Sequence, residues 1–233
     1  MSLDPGTWGL LLALGLWTAL DQSACLQVLV SQPLVASWLA GWIAGDAASG
    51  LTIGVLLQGV WSRSLPLGAS PLPFLGPAAV VGGALAAVAT GPRVHLGPAI
   101  TLPGALPLAI ALWMSIAVGE SGRPLLQQIY RHRGTIVDMA LGAARDGRAD
   151  RLRIAHLLGI VPTAFLGMGL VTAGLLVGSI LLRFGPNVHA DGRWVALPVL
   201  GVGVGQACSL SMKRRAWIWG AAALVLGLAV AFI

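Results

Sequence analysis

Charged residues are scarce in this sequence. Only 9% of its 233 residues are Asp, Glu, Lys or Arg, whereas 57% are hydrophobic and the mean hydropathy is +0.86. A water-soluble domain carries about a quarter charged residues, because its surface has to be hydrated. This chain cannot cover such a surface, and its composition predicts an all-α integral membrane protein. At roughly 20 residues per span, the length allows about six to eight membrane-embedded segments.

Cysteines are few and catalytic signatures are missing. Cys25 and Cys208 both lie inside apolar stretches, so neither a disulfide framework nor a metal-binding spacing is apparent. The sequence has no HExxH and no GxSxG, and its only lysine, Lys213, is not part of a Walker motif. We therefore expect no enzymatic activity in this chain, no metal and no cofactor.

The net charge of +6 does not indicate nucleic-acid binding. The basic residues fall in loops between apolar runs, which is the pattern of topology determinants. Seven of the fourteen cationic residues lie in residues 119–153, and three more form Lys213–Arg215. These two segments lie two spans apart, and the positive-inside rule predicts that both are cytoplasmic. Apolar residues recur near helical spacing within the first of them, so we expect an amphipathic helix that stops near Gly147.

The apolar runs divide a single membrane domain, residues 1–233, into three parts. We expect N-terminal spans in residues 8–118, a basic cytoplasmic loop with an amphipathic helix in residues 119–153, and three further spans in residues 154–233. The first apolar run superficially resembles a signal peptide. However, the residues before it contain Asp4 and no Lys or Arg, so we expect it to be retained as a membrane segment.

Residues 32–73 combine apolar character with backbone breaks. Two runs of about 11 residues, Leu34–Ala44 and Leu51–Trp61, would each form roughly 16 Å of helix, too short to cross a ~30 Å hydrocarbon core. Either they are re-entrant half-helices, or one element continues from Ala24 through Ala44 with a break at Pro33. Irregular backbone is tolerated in a membrane only within protein or around a cavity. The stretch therefore predicts a polytopic helical bundle whose N-terminal third contains broken or re-entrant helices near a substrate site.

Three isolated polar residues lie in the same stretch, where such groups are costly. Asp46 follows Gly45 and fits either a helix cap or a site residue. The amide of Gln58 can donate to and accept from sugar hydroxyls, or it can make an interhelical hydrogen bond. Arg63 can pair with Asp46 or Asp21, or extend to the membrane interface.

Glycines at four-residue spacing recur in the apolar runs. Such a pair lets another helix approach closely, because no side chain separates the two backbones. We expect helix crossings at some of these pairs: Gly41/Gly45, Gly50/Gly54, Gly174/Gly178 and Gly201/Gly205.

Several of these segments, taken in order, resemble the IIC membrane subunit of the mannose–fructose–sorbose type of sugar phosphotransferase system (PTS). The match and its spacing hold without a gap from Pro33 to Pro73. The residues that carry the resemblance are Asp21, Gln32-Pro33-Leu34-Val35, Leu39 to Asp46, Gly50-Leu51-Thr52-Ile53-Gly54, Leu57-Gln58, and Leu67-Gly68-Ala69 to Pro73.

The resemblance implies a sugar-translocating subunit in the inner membrane of a bacterium. Such a subunit pairs with a IID membrane protein and works with cytoplasmic IIA and IIB, and IIB phosphorylates the incoming sugar. By the same resemblance, the complex is a trimer of IIC–IID pairs. We expect sugar binding by five residues: Gln58, Asp21, Asp46, Gly68 and Ser70.

The chain departs from the family pattern at three positions. The family usually has Glu where Gln58 stands, often has Asn where Pro66 stands, and tends to place Asp soon after the position of Pro73, where this chain has Phe74. Three polar groups are thus altered together. The leading expectation is sugar uptake coupled to phosphorylation, and the alternative is a non-transporting scaffold or sensor module of the same fold.

Overall fold

A computed structural model describes residues 3–23, 28–62, 72–89, 93–95 and 101–184, together with residues 193, 195, 196 and 199. The last predicted spans lie outside these residues. Within the described residues the elements are the helices α1 (Pro5–Ser23), α2 (Pro33–Ile43), α3 (Ala47–Val60), α4 (Leu75–Val88), α5 (Ala105–Arg131), α6 (Arg133–Arg145) and α7 (Ala149–Phe184), and the strands β1 (Arg93–His95) and β2 (Thr101–Pro103).

The predicted helical membrane fold is confirmed. Two helical stretches of the described part are long and apolar enough to cross a membrane: Ala105–Arg145, which contains α5 and α6, and α7. Strands β1 and β2 pair as a small antiparallel hairpin between α4 and α5.

Helices α2 and α3 form an antiparallel helical hairpin. Residues 28–32 are bends and turns, and α2 begins at Pro33, where the missing N–H removes no intrahelical hydrogen bond. Gly45 has a φ of +96°, which reverses the chain between the two helices. The helices contain 11 and 14 residues, or roughly 16 and 21 Å, so neither crosses a ~30 Å core. Of the two alternatives considered from the sequence, the structure therefore has the first, two short half-helices.

Backbone contacts at glycines hold α2, α3 and α4 together. A Cβ atom added to Gly50 would lie 2.7 Å from the Cα of Gly41 and 2.5 Å from the carbonyl oxygen of Ser37. A Cβ added to Gly83 of α4 would collide with the backbone of the same serine. The buried Ser37 hydroxyl also donates to the carbonyl oxygen of Ala79 at 2.9 Å. Gly50 and Gly54 therefore both lie at the crossing with α2, as the spacing of this pair predicts. Of the pair Gly41/Gly45, only Gly41 lies at the crossing, because Gly45 forms the turn.

One end of the bundle lies beside the basic segment, residues 119–153. Trp61, just after α3, packs within 3.0 Å of the Cβ position of Gly119 in α5. The backbone N–H of Phe74, just before α4, donates to the carbonyl oxygen of Gly119 at 2.9 Å. Therefore α3 ends and α4 begins at this end, which we call the basic end. Because α2 and α3 are antiparallel, α2 also begins there. The turn at Gly45 lies at the opposite end.

The basic segment is more helical than the predicted loop. α5 continues through Arg131, and α6 follows after a single residue, His132. Gly147, with a φ of +67°, separates α6 from α7. α6 thus lies where the sequence predicts an amphipathic helix, and it ends at Arg145, close to the predicted stop. The division of the chain into three parts stays a prediction.

Asp4 caps α1 and should make the first turn of this helix pH-dependent. The Thr7 hydroxyl donates to Asp4 Oδ2 at 2.6 Å and the Thr7 N–H to Oδ1 at 2.8 Å. These hydrogen bonds lower the pKa of Asp4 below its ordinary value of 3.8. The cap therefore stabilises the folded chain above that ordinary value, and this contribution is lost as the pH falls through the lowered pKa.

We expect acid to reduce the amide-exchange protection of Thr7 in the native chain, after correction for intrinsic exchange. Asn also caps helices but does not titrate, so in Asp4→Asn the protection should no longer depend on pH in this range. An identical acid dependence in both proteins would contradict the assignment.

Candidate functional site

Gln58 lies on the outer face of α3, toward the basic end. Its side chain is exposed, and its amide forms no hydrogen bond with any residue in the described part of the chain. Val55, one turn earlier on the same face, is also exposed. The interhelical hydrogen bond considered from the sequence is therefore not formed within the described residues. The amide is available to a ligand or to a partner chain.

Ser62 offers a second polar group at the same end. It follows Gln58 by four residues and lies in the turn just after the end of α3 at Val60. Its Oγ atom is buried and has no hydrogen-bond partner among the described residues. An unpartnered buried hydroxyl costs roughly 1–3 kcal/mol, which a ligand or partner atom would recover. The amide and this hydroxyl are the kinds of group that recognise sugar hydroxyls.

Gly68 and Ser70, two of the predicted sugar-binding residues, lie outside the described residues. So do Arg63, with its proposed ion pairs, and Pro66. Both chain ends that border this segment lie at the basic end: Ser62 precedes it, and Leu72 follows it. The predicted contacts at Gly68 and Ser70 stay predictions.

The chain that follows this segment is held by α1. The Gln22 side chain donates through Nε2 to the carbonyl oxygen of Pro73 at 2.7 Å. It also accepts through Oε1 from the N–H of Gly76 at 3.2 Å. Gln22 is not among the residues predicted from the sequence. The signal that points to it is a polar amide beside Asp21 at the end of an apolar helix, where an unpaired amide would be costly.

Asp21 organises the turn that leads into α2. Its carboxylate is 3% exposed, and it accepts from the N–H of Val28 at 2.6 Å and from the N–H of Ser31 at 2.8 Å. Between these residues, Leu29 has a φ of +67°, a conformation that is strained for a leucine. The carboxylate therefore has a structural role. Its predicted contact with sugar stays a prediction.

Asp46 caps α3 at the end opposite to Gln58. Its carboxylate accepts from the N–H of Ser49 at 3.0 Å and from the Ser49 hydroxyl at 2.7 Å. This is the helix-cap alternative considered from the sequence. Asp46 and Gln58 are separated by about 18 Å along α3, at ~1.5 Å per residue. One hexose cannot contact both side chains, so the structure separates two residues that the sequence placed in one site.

Phe74, one of the departures from the family pattern, is fully buried. Its ring packs in a cluster with Ala19 of α1 and Leu126 of α5. A Cβ atom added to Gly122 would lie 2.6 Å from the Phe74 Cβ. This side chain therefore holds α1 and α5 together and adds no polar group to the basic end.

The comparison with known families agrees with these features. A family model described as the PTS system sorbose-specific IIC component matches residues 8–231. No curated protein matches the chain. The match includes the α2–α3 hairpin, the basic segment and the two helical stretches that are long enough to cross a membrane. It also extends the resemblance carried by residues 21–73 to almost the entire sequence. The chain belongs to the family of sorbose-specific IIC components, the sugar-specific membrane components of the phosphotransferase system.

Proposed function

We propose that the chain passes a hexose or an amino sugar through the inner membrane of a bacterium. In this proposal it acts as the IIC subunit of a phosphoenolpyruvate-dependent phosphotransferase system and pairs with a IID membrane subunit. Cytoplasmic IIB, supplied with phosphate through IIA, phosphorylates the sugar as it leaves the membrane domain. The observation that carries the proposal is the exposed amide of Gln58, which has no partner among the described residues.

The position of this amide supports an exit toward the cytoplasm. The positive-inside rule predicts that the basic segment is cytoplasmic, and Gln58 lies near the end of the bundle that this segment borders. The α2–α3 hairpin also opens at this end, and its two helices are too short to cross the membrane. A sugar held by Gln58 and Ser62 would be close to the water phase in which IIB works.

The outer face of α2 supports an association with another membrane subunit. Trp38 and Trp42 are 44% and 66% exposed and lie one turn apart, beside the exposed Leu34. Broad, rigid indole rings are favoured at the centres of protein interfaces. We propose that IID covers this face and completes the pocket around Gln58. Three such IIC–IID pairs would form the complex.

Replacement of Gln58 by Ala tests the site. The purified complex with IID should bind a radiolabelled hexose or amino sugar, and Gln58→Ala should weaken this binding about tenfold to hundredfold, because one or two hydrogen bonds to the sugar are lost. Val55→Ala is the matched control, since Val55 is exposed on the same face and has no polar atoms in its side chain. Equal sugar affinity in Gln58→Ala and Val55→Ala would refute the assignment.

The second candidate is a non-transporting scaffold or sensor of the same fold. It is favoured by the buried Phe74, which provides no polar group at a position near which the family tends to place Asp. This candidate predicts that the intact complex binds no sugar, although it retains its phosphotransferase partners. The reading frames beside the gene offer a simple discriminator: adjacent IIA, IIB and IID frames support transport, and their absence supports the scaffold.

A further inference from the structure

A groove of about 870 Å³ lies where α6 packs against the first half of α7. This volume is within the ~300–1,000 Å³ of typical small-molecule pockets. Most of the wall is hydrocarbon, and only a few polar side chains contribute to it. Its lining includes Val137 and Ala140 of α6, Leu157 and Ile160 of α7, and the side chains of Arg153 and His156.

The ionisable side chains that line this groove are basic. Arg153 and His156 are exposed, and no described carboxylate forms an ion pair with Arg153. The one ion pair described nearby, Arg148 with Asp146, is long at 3.9 Å and is more than half exposed. The groove therefore presents positive charge that the described part of the chain does not neutralise.

The position of the groove along α7 indicates the depth at which it lies. Residues 149–153 are charged at three of five positions, whereas the helix beyond them is mostly apolar. Ile154, Leu157 and Leu158 are 51%, 56% and 46% exposed, so none of the described helices covers these side chains. A helix that changes from arginine-rich to apolar within one turn marks the boundary between lipid headgroups and acyl chains.

From these features we infer that the groove between α6 and α7 binds an anionic phospholipid. An acyl chain lies along the apolar wall, and Arg153 binds the phosphate through charge-assisted hydrogen bonds. The exposed Val137 and Leu141 of α6 extend the same apolar surface. A soluble acidic partner would explain the positive charge but not the hydrocarbon lining, and a neutral lipid would explain only the lining.

The test is a titration of the purified chain with lipid in detergent. The melting temperature of the chain, measured at each lipid concentration, reports the binding. Phosphatidylglycerol should raise the melting temperature saturably, whereas phosphatidylcholine should not. Arg153→Ala should weaken the apparent affinity for phosphatidylglycerol about fivefold, since one arginine near an anionic headgroup is lost. Ala140→Phe, which fills the groove and leaves the charges intact, should abolish the saturable effect. Arg145→Ala is the control, because Arg145 is also exposed and basic but does not line the groove.

Three results would overturn the inference. The first is an equal response to both lipids. The second is an unchanged titration in Arg153→Ala and in Ala140→Phe, measured on variants that elute as monodisperse protein. The third is loss of the phosphatidylglycerol effect when the chain is assembled with its IID partner, because the groove would then be the site of a protein contact.

Discussion

Gly50→Val should prevent the α2–α3 hairpin from forming, and with it the assembly of the membrane domain. The Cβ position of Gly50 lies 2.5 Å from the carbonyl oxygen of Ser37 and 2.7 Å from the Cα of Gly41. Both are backbone atoms, which cannot rotate away as a side chain does, so the helices would have to separate. Overpacking usually costs ~1–3 kcal/mol, and we expect at least the upper end of this range. The measurements are the yield of monodisperse protein in detergent and its melting temperature.

Gly169→Val provides the matched control for this experiment. Gly169 lies in the long apolar helix α7, and a Cβ atom added there meets no atom of the described residues within 4 Å. This variant should fold like the native protein. Gly83→Ala tests the neighbouring contact between α2 and α4, since its added methyl group would collide with the backbone of Ser37 in α2. If Gly50→Val folds as well as Gly169→Val, the close crossing of α2 and α3 is wrong.

Asp21→Ala should act mainly on the stability of the protein and not directly on its affinity for sugar. The substitution removes a buried acceptor and leaves the N–H groups of Val28 and Ser31 without partners. Hydrogen bonds to a charged group contribute ~1.5–3 kcal/mol each, so a loss of about 3 kcal/mol or more is expected. The measurements are the thermal unfolding of the purified complex and the sugar affinity of the fraction that remains folded.

A second substitution in the same turn separates the structural role of Asp21 from a direct contact with sugar. Leu29 is 65% exposed and has a φ of +67°, so Leu29→Gly removes little packing and relieves ~1–2 kcal/mol of backbone strain. The double variant Asp21→Asn/Leu29→Gly should therefore melt at a higher temperature than Asp21→Asn. Native stability of Asp21→Ala together with lost sugar binding would instead identify Asp21 as a sugar contact.

Composition and local pattern were sufficient to predict the class of the protein. Scarcity of charge is a property of the whole chain, so it indicated a helical membrane protein without knowledge of any contact. The short helices on either side of Asp46 were also predicted, because Pro and Gly interrupt a helix locally, through their own backbone chemistry. The ordered segments from Pro33 to Pro73 indicated the family, which the match over residues 8–231 confirmed.

The candidate site was predicted less completely, because the roles of its polar residues depend on partners distant in the sequence. Asp21 and Gln22 are adjacent in the sequence, yet one holds the turn before α2 and the other holds the start of α4, more than 50 residues away. The spacing of polar and apolar residues in the sequence does not indicate these hydrogen-bond partners. Asp46 and Gln58 occur in one short apolar stretch, but a straight helix separates them by about 18 Å.

The sequence by itself determined that the chain is a helical membrane protein of the IIC family with broken helices in its N-terminal third. Only the tertiary structure decided which end of those helices lies beside the basic segment. The first 73 residues contain a single basic residue, Arg63, so the positive-inside rule has almost no charge to count there. The contacts of Trp61 and Phe74 with Gly119 show which end this is. They are a van der Waals contact and a backbone hydrogen bond, and they join segments that are far apart in the chain.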